Sequence, residues 1–87
     1  MPKLGSIGGV QTIAPQLGRV IRKYRLAAGF SQEELAERSD LHWTYVSQVE
    51  RGRRNVSVDA LRHLARALDA TAWRLLQEAE AESDESV

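Results

Sequence analysis

An all-α fold of five short helices is what this sequence predicts, and three observations carry it. Apolar residues recur with the 3.6-residue period of a helix face in one segment after another. Ser, Thr and Gly stand at the ends of those segments, where helices need caps. No segment alternates polar and apolar residues for long enough to make a strand. At 87 residues, 43% of them hydrophobic, the chain has material for one domain with one modest core.

The elements follow in order. Residues 1–14 are rich in Gly and small residues with no sustained period, and read as a flexible N-terminal arm. From Pro15 the pattern turns helical: Leu17, Val20, Ile21 and Tyr24 form one stripe opposite Arg19, Arg22 and Lys23. Gly29 suits the left-handed residue that ends a helix. Ser31 opens the second helix, with Glu34 three positions on completing a capping box. Leu35 and Ala36 face inward, and the helix ends near Ser39-Asp40. The third runs from about His42 to Arg51, with Tyr45, Val46 and Val49 inward and Gly52 as its stop. Ser57 caps the fourth, where Leu61, Leu64, Ala65 and Leu68 make an apolar stripe and Asp59 in the first turn complements the helix dipole. Thr71 caps the fifth, which holds Trp73, Leu75 and Leu76. Residues 78–87 lose apolar content and read as an acidic, flexible C-terminal tail, leaving 15–77 as the folded domain.

The net charge of zero hides an asymmetry. Residues 16–77 carry eleven Lys and Arg against seven Asp and Glu, whereas the chain from Glu78 onward adds five acids and no base. A mildly basic body of this kind permits a polyanionic partner. Other classes are disfavoured. No cysteine is present, so disulfides and thiolate metal sites are excluded. The two histidines, His42 and His63, lie in no metal-ligand spacing, and no Gly-rich loop follows a strand. Neither an enzyme nor a cofactor or metal site is expected. Nothing approaches the run of about 18 apolar residues that spans a bilayer, and MPKLGSIGGV does not read as a signal peptide, so a cytoplasmic, non-membrane protein is expected.

The stretch SQEELAERSDLHWTYVSQVERGRRN places two short helices only a few residues apart. That is the helix-turn-helix arrangement, in which the second helix lies in a DNA major groove while the first crosses the backbone. The blocks GFSQEELAERS, TYVSQVERGRRN and SVDALRHLARAL resemble the Cro and lambda-repressor (XRE) family of helix-turn-helix domains over residues 17–76. The second block also resembles the controller proteins of restriction–modification systems. The resemblance implies a compact five-helix, lambda-repressor-like domain that acts as a dimeric transcription regulator on double-stranded DNA.

If the third helix enters the groove by its N-terminal end, Trp43, Thr44, Ser47 and Gln48 reach base edges, and the resemblance puts base readers there. Gln48 suits bidentate pairing with adenine, and Thr44 a thymine methyl or a hydrogen-bonding edge. Trp43 departs from the family pattern, which usually has a polar or basic residue. An indole packs on a thymine methyl or donates one hydrogen bond, but cannot read guanine as Arg does. The bland reading is a solvated face, or a surface or dimer contact for Trp43.

Gln32, in the first turn of the second helix, suits a phosphate. The resemblance also implies that it contacts a residue at the start of the recognition helix. Arg51, Arg53, Arg54 and Asn55 straddle the turn after the third helix and suit phosphate clamping, with Tyr45 counted beside them. Arg54 is the one that resemblance to controller proteins sends toward a base or a narrow minor groove. Arg25 and Glu50 match a family ion pair tying the first helix to the end of the third, a positioning role without DNA contact. Asp40 stands where the turn usually has Gly, and His42 where a Ser or Thr cap is usual.

A lone groove helix makes few base contacts, so a homodimer on a symmetric operator is expected. Trp73 and Leu76 of the fifth helix are its candidate interface, though they would also serve as core. RNA polymerase becomes a further partner if the protein activates. The competing function is an antitoxin-like or anti-repressor module whose main target is a protein. The polar face of the third helix and the arginine cluster count against it.

Overall fold

The structure, a computed structural model, describes residues 12–85, with side chains through Glu82. Five helices make up the regular structure of those residues: α1 (Ala14–Ala28), α2 (Gln32–Ser39), α3 (Trp43–Glu50), α4 (Val58–Ala67) and α5 (Ala72–Glu85). None is long and apolar enough to cross a membrane. The N-terminal arm read from residues 1–14 falls outside the described residues except for Thr12, Ile13 and Ala14. There the helix starts at Ala14, whose amide donates to Thr12 Oγ1.

Caps and staples explain why the short helices begin where they do. The Ser31, Ser57 and Thr71 hydroxyls each accept from the amide three residues on, and Ser31 and Glu34 complete their capping box. Just outside each start stands an apolar residue, and five positions later comes another: Phe30 and Leu35, Leu41 and Val46, Val56 and Leu61, Ala70 and Leu75. All eight belong to the core or pack against it, the pattern of a hydrophobic staple that sets the angle of chain entry. Left-handed residues close the helices at Gly29, Asp40, Gly52 and Asp69. Asp40 (φ 58°, ψ 40°) serves in place of Gly, and the following amide, of Leu41, bonds back to the Ala36 carbonyl at 2.9 Å. The turn therefore forms with Asp, at a conformational cost of order 1 kcal/mol.

Every helix supplies the fully buried centre: Ile21 from α1, Leu35 from α2, Val46 and Val49 from α3, Leu64 from α4 and Leu75 from α5. Burying each contributes roughly 1.5–3 kcal/mol. Tyr24 and Tyr45, both read as inward, are half-buried at its edge. His63 is structural: its Nδ1 lies 3.0 Å from the Ser39 carbonyl. A carbonyl only accepts, so Nδ1 carries the proton and caps the last turn of α2 from α4.

The expected departure from the fold at Glu78 does not occur, because α5 continues to Glu85. Ala79, one turn beyond Leu75, is buried. Glu78 accepts from Tyr24 Oη and, at 3.0 Å, from Lys23 Nζ, and Glu82 accepts from Arg19. Residues that read as a solvated acidic tail thus form the outer face of a helix clasped to the basic face of α1. The Tyr24 hydrogen bond, with Lys23, lowers the Glu78 pKa, and the same bond with burial raises that of Tyr24.

Candidate nucleic-acid interface

The site is built on α3, and the two ends of that helix are held very differently. At the C-terminal end the Glu50 carboxylate is buried. Arg25 meets it with both prongs of its guanidinium, Nε to Oε2 at 2.6 Å and an Nη to Oε1 at 3.0 Å. The Arg25 and Glu50 side chains are only 10% and 2% exposed. Arg25 also donates to the Phe30 carbonyl at 2.8 Å, and Gln32 Nε2 donates to Glu50 Oε1 at 3.1 Å. Three helices are thereby joined at one carboxylate. Gly18 lets the α1 backbone lie directly on the last turn of α3, since a Cβ there would fall on the Val49 and Glu50 carbonyl oxygens. Gly52 (φ 73°) turns the chain away against Pro15, and only glycine meets both requirements.

The N-terminal end has no such fastening. His42 is the extended N-cap residue but makes no side-chain cap hydrogen bond. Trp43 and Thr44 are exposed, and Ser47 and Gln48 are half-buried. With Arg51 these four line one shallow depression of about 240 Å³. Hydrogen-bonding groups and an indole thus share the open face of α3, and its carboxylate is turned inward.

Beside this face lies a larger open cleft of about 780 Å³ between the α2–α3 turn and the loop that follows α3. Its walls include Asp40, His42, Tyr45, Arg53, Arg54, Asn55 and Ser57. The Arg54 guanidinium sits over the Tyr45 ring at 5.2 Å from its centre. That stacking pre-positions one cation while leaving its N–H groups free. Among the described residues, Arg51, Arg53 and Arg54 form no salt bridge, whereas Arg19, Lys23, Arg25 and Arg74 all do. Arg22, Arg38, Arg62 and Arg66 likewise form none, so what marks the end of α3 is that three unneutralised arginines stand within four positions there.

The structure sorts the residues read from sequence. Trp43, Thr44, Ser47 and Gln48 come together on one face, and Arg51 joins them instead of the other arginines. Tyr45, Arg53, Arg54 and Asn55 share the flanking cleft. Gln32 lies apart: its amide binds Glu50 at the end of α3, not a residue at its start, so a phosphate there has only the backbone amide to meet. Two residues of the cleft wall, His42 and Ser57, were not among the sequence candidates. Their positions just before two helix starts were the available signal. Trp73 and Leu76 are 63% and 38% exposed, while Leu75 and Ala79 fill the core.

Comparison with known proteins places the chain among helix-turn-helix proteins. A helix-turn-helix family profile matches residues 21–73. The control protein C.BamHI of Bacillus amyloliquefaciens is 48% identical over 60 residues, spanning 68% of this chain and 74% of that protein. The clp gene regulator ClgR of Corynebacterium glutamicum superposes with a TM-score of 0.81 at 33% identity, covering 87% of this chain and 81% of that one. The restriction–modification controller C.Esp1396I, solved as a tetramer on its natural 35 base-pair operator, gives a TM-score of 0.73 at 30% identity over 84% and 96% of the two chains.

Proposed function

The chain belongs to the helix-turn-helix family of DNA-binding transcription regulators, and from that membership and the setting of α3 we propose how it works: as a dimer on a symmetric operator, each α3 entering a major groove by its N-terminal end. The observation that carries this is the open polar tip of α3 flanked by three arginines without carboxylate partners. Trp43, Thr44, Ser47 and Gln48 read base edges; Arg53, Arg54, Asn55 and Tyr45 hold the flanking phosphates, with the Gln32 backbone on the other side. Arg51 lies close enough to the readers to serve either backbone or base. Arg25 and Glu50 set the angle of the helix and touch no DNA.

Dimerisation uses the outer face of α5. Trp73 and Leu76 leave apolar surface in water that the monomer core does not need, because Leu75 and Ala79 already fill it. A second copy covers that surface. The regulator acts in the cytoplasm, and RNA polymerase is a partner where it activates. Selection of bound duplexes from a random library at near-physiological salt tests the reading. It is expected to enrich two symmetric half-sites about 10 base pairs, one turn of DNA, apart. Absence of any enriched motif would overturn it.

A further inference from the structure

We propose that Trp43 makes operator recognition depend on a methyl group at pyrimidine C5, so that thymine and 5-methylcytosine are accepted where uracil and unmodified cytosine are penalised. This rests on α3 reading the major groove as proposed above. Trp43 is the first residue of α3 and is 53% exposed. It is not part of the core: the inward face of the helix is Val46 and Val49, with Tyr45 and the preceding Leu41 packed at the edge. Among the described residues its indole N–H meets no acceptor and its ring carries no cation, unlike the rings of Phe30, Tyr24 and Tyr45. It shares its depression with Thr44, Ser47, Gln48 and Arg51, all of them hydrogen-bonding groups.

The chemistry of a duplex leaves such an indole one good target. Base faces are covered by stacking, so only edges are reachable in the groove. Purine edges carry the N7 and O6 acceptors or an amine, and cytosine carries its N4 amine; the apolar group in the groove is the thymine C5-methyl. An indole against a polar edge desolvates it and returns at most one hydrogen bond. Against a C5-methyl it buries apolar surface on both sides. In 5-methylcytosine the methyl occupies the same ring position. Methylation of a half-site cytosine at C5 therefore strengthens binding wherever Trp43 faces it.

The test begins from the selected operator. Each half-site thymine is replaced in turn by deoxyuridine, and each cytosine by 5-methyldeoxycytidine. Dissociation constants are then measured by fluorescence anisotropy for the wild type, Trp43→Ala and Thr44→Ser. At one position per half-site the methyl is expected to tighten wild-type binding about fourfold, the worth of one buried methyl-sized group. The dependence vanishes in Trp43→Ala and persists in Thr44→Ser, which separates the two side chains able to reach a methyl. A response at thymine assigns the methyl to the unmodified sequence, and a response at cytosine to its modification. Equal wild-type affinity for every methylated and unmethylated pair overturns the proposal even if a variant fails to fold. So does a dependence that survives Trp43→Ala or disappears in Thr44→Ser. If no operator is selected at all, it is the DNA-reading function that fails first, and the proposal with it.

Discussion

In the proposed function, the two ends of α3 divide positioning from reading. At its C-terminal end, Glu50 is buried under Arg25 and Gln32 and the α1 backbone is pressed against it through Gly18. At its N-terminal end, Trp43 and Thr44 are exposed, without a cap or a core contact to hold them. A helix of eight residues cannot hold itself straight in water. Fixing one end to two other helices aims it, while the opposite end stays free to change without harming the fold. In the proposed function the reading surface is thus separable from the frame that aims it.

The largest effect that can break this comparison lies in the frame. Arg25→Ala leaves the buried Glu50 carboxylate without a counter-charge, with only the Gln32 hydrogen bond, and is expected to lower the unfolding free energy by about 3–5 kcal/mol in chemical denaturation. A loss below about 1 kcal/mol would mean that the end of α3 is not pinned as described. Next comes assembly. Trp73→Ala is expected to weaken the dimer by about 2 kcal/mol in sedimentation equilibrium, with monomer helicity unchanged. A normally dimerising variant would place the interface elsewhere.

Changes at the reading end should leave stability intact. Gln48→Ala is expected to lose about 1–3 kcal/mol of discrimination at a single base pair, with non-specific affinity retained. Arg54→Ala is expected to weaken all sequences alike and to reduce the slope of log affinity against log salt by about one.

The smallest effect concerns the clasp between α5 and α1. Its carboxylate Glu78 has a pKa below its ordinary value of 4.5, held down by the Tyr24 hydroxyl and Lys23. Its contribution is therefore complete above that value and is lost as pH falls through the lowered pKa. Glu78→Gln should remove this acid-side loss and cost less than about 1 kcal/mol at pH 7, because its cationic partners Lys23 and Arg74 are largely solvated. Thermal unfolding followed from pH 7 to pH 3 reads it directly.

How far the sequence disclosed this molecule depends on whether the cause was local. The capping box at Ser31-Glu34, the cap at Ser57 and the stops at Gly29 and Gly52 are set within a few residues, and each was legible. Asp40 was legible as a left-handed turn residue because its short side chain tolerates that conformation. The extension of α5 was not: Glu78 and Glu82 find their partners in Arg19, Lys23 and Tyr24, more than fifty residues earlier in the chain. Composition alone made them a solvated tail. The Arg25–Glu50 pair is also non-local, 25 residues apart, and only family resemblance pointed to it. Gln32 shows the limit of resemblance, since its residue type matched while its contact was at the other end of the recognition helix. The division of Trp73, Leu75 and Leu76 between core and surface also needed the structure, because a stripe of adjacent apolar residues does not say which one points inward.

The most direct test replaces the reading tip at once, in the variant Trp43→Ala/Thr44→Ala/Ser47→Ala/Gln48→Ala, and measures the sequence preference it retains in a random-duplex selection. The account predicts no enriched motif, with residual salt-sensitive binding to all sequences and an unfolding midpoint close to that of the wild type. Recovery of the wild-type motif by this variant would contradict it, because the sequence would then be read by some other part of the molecule.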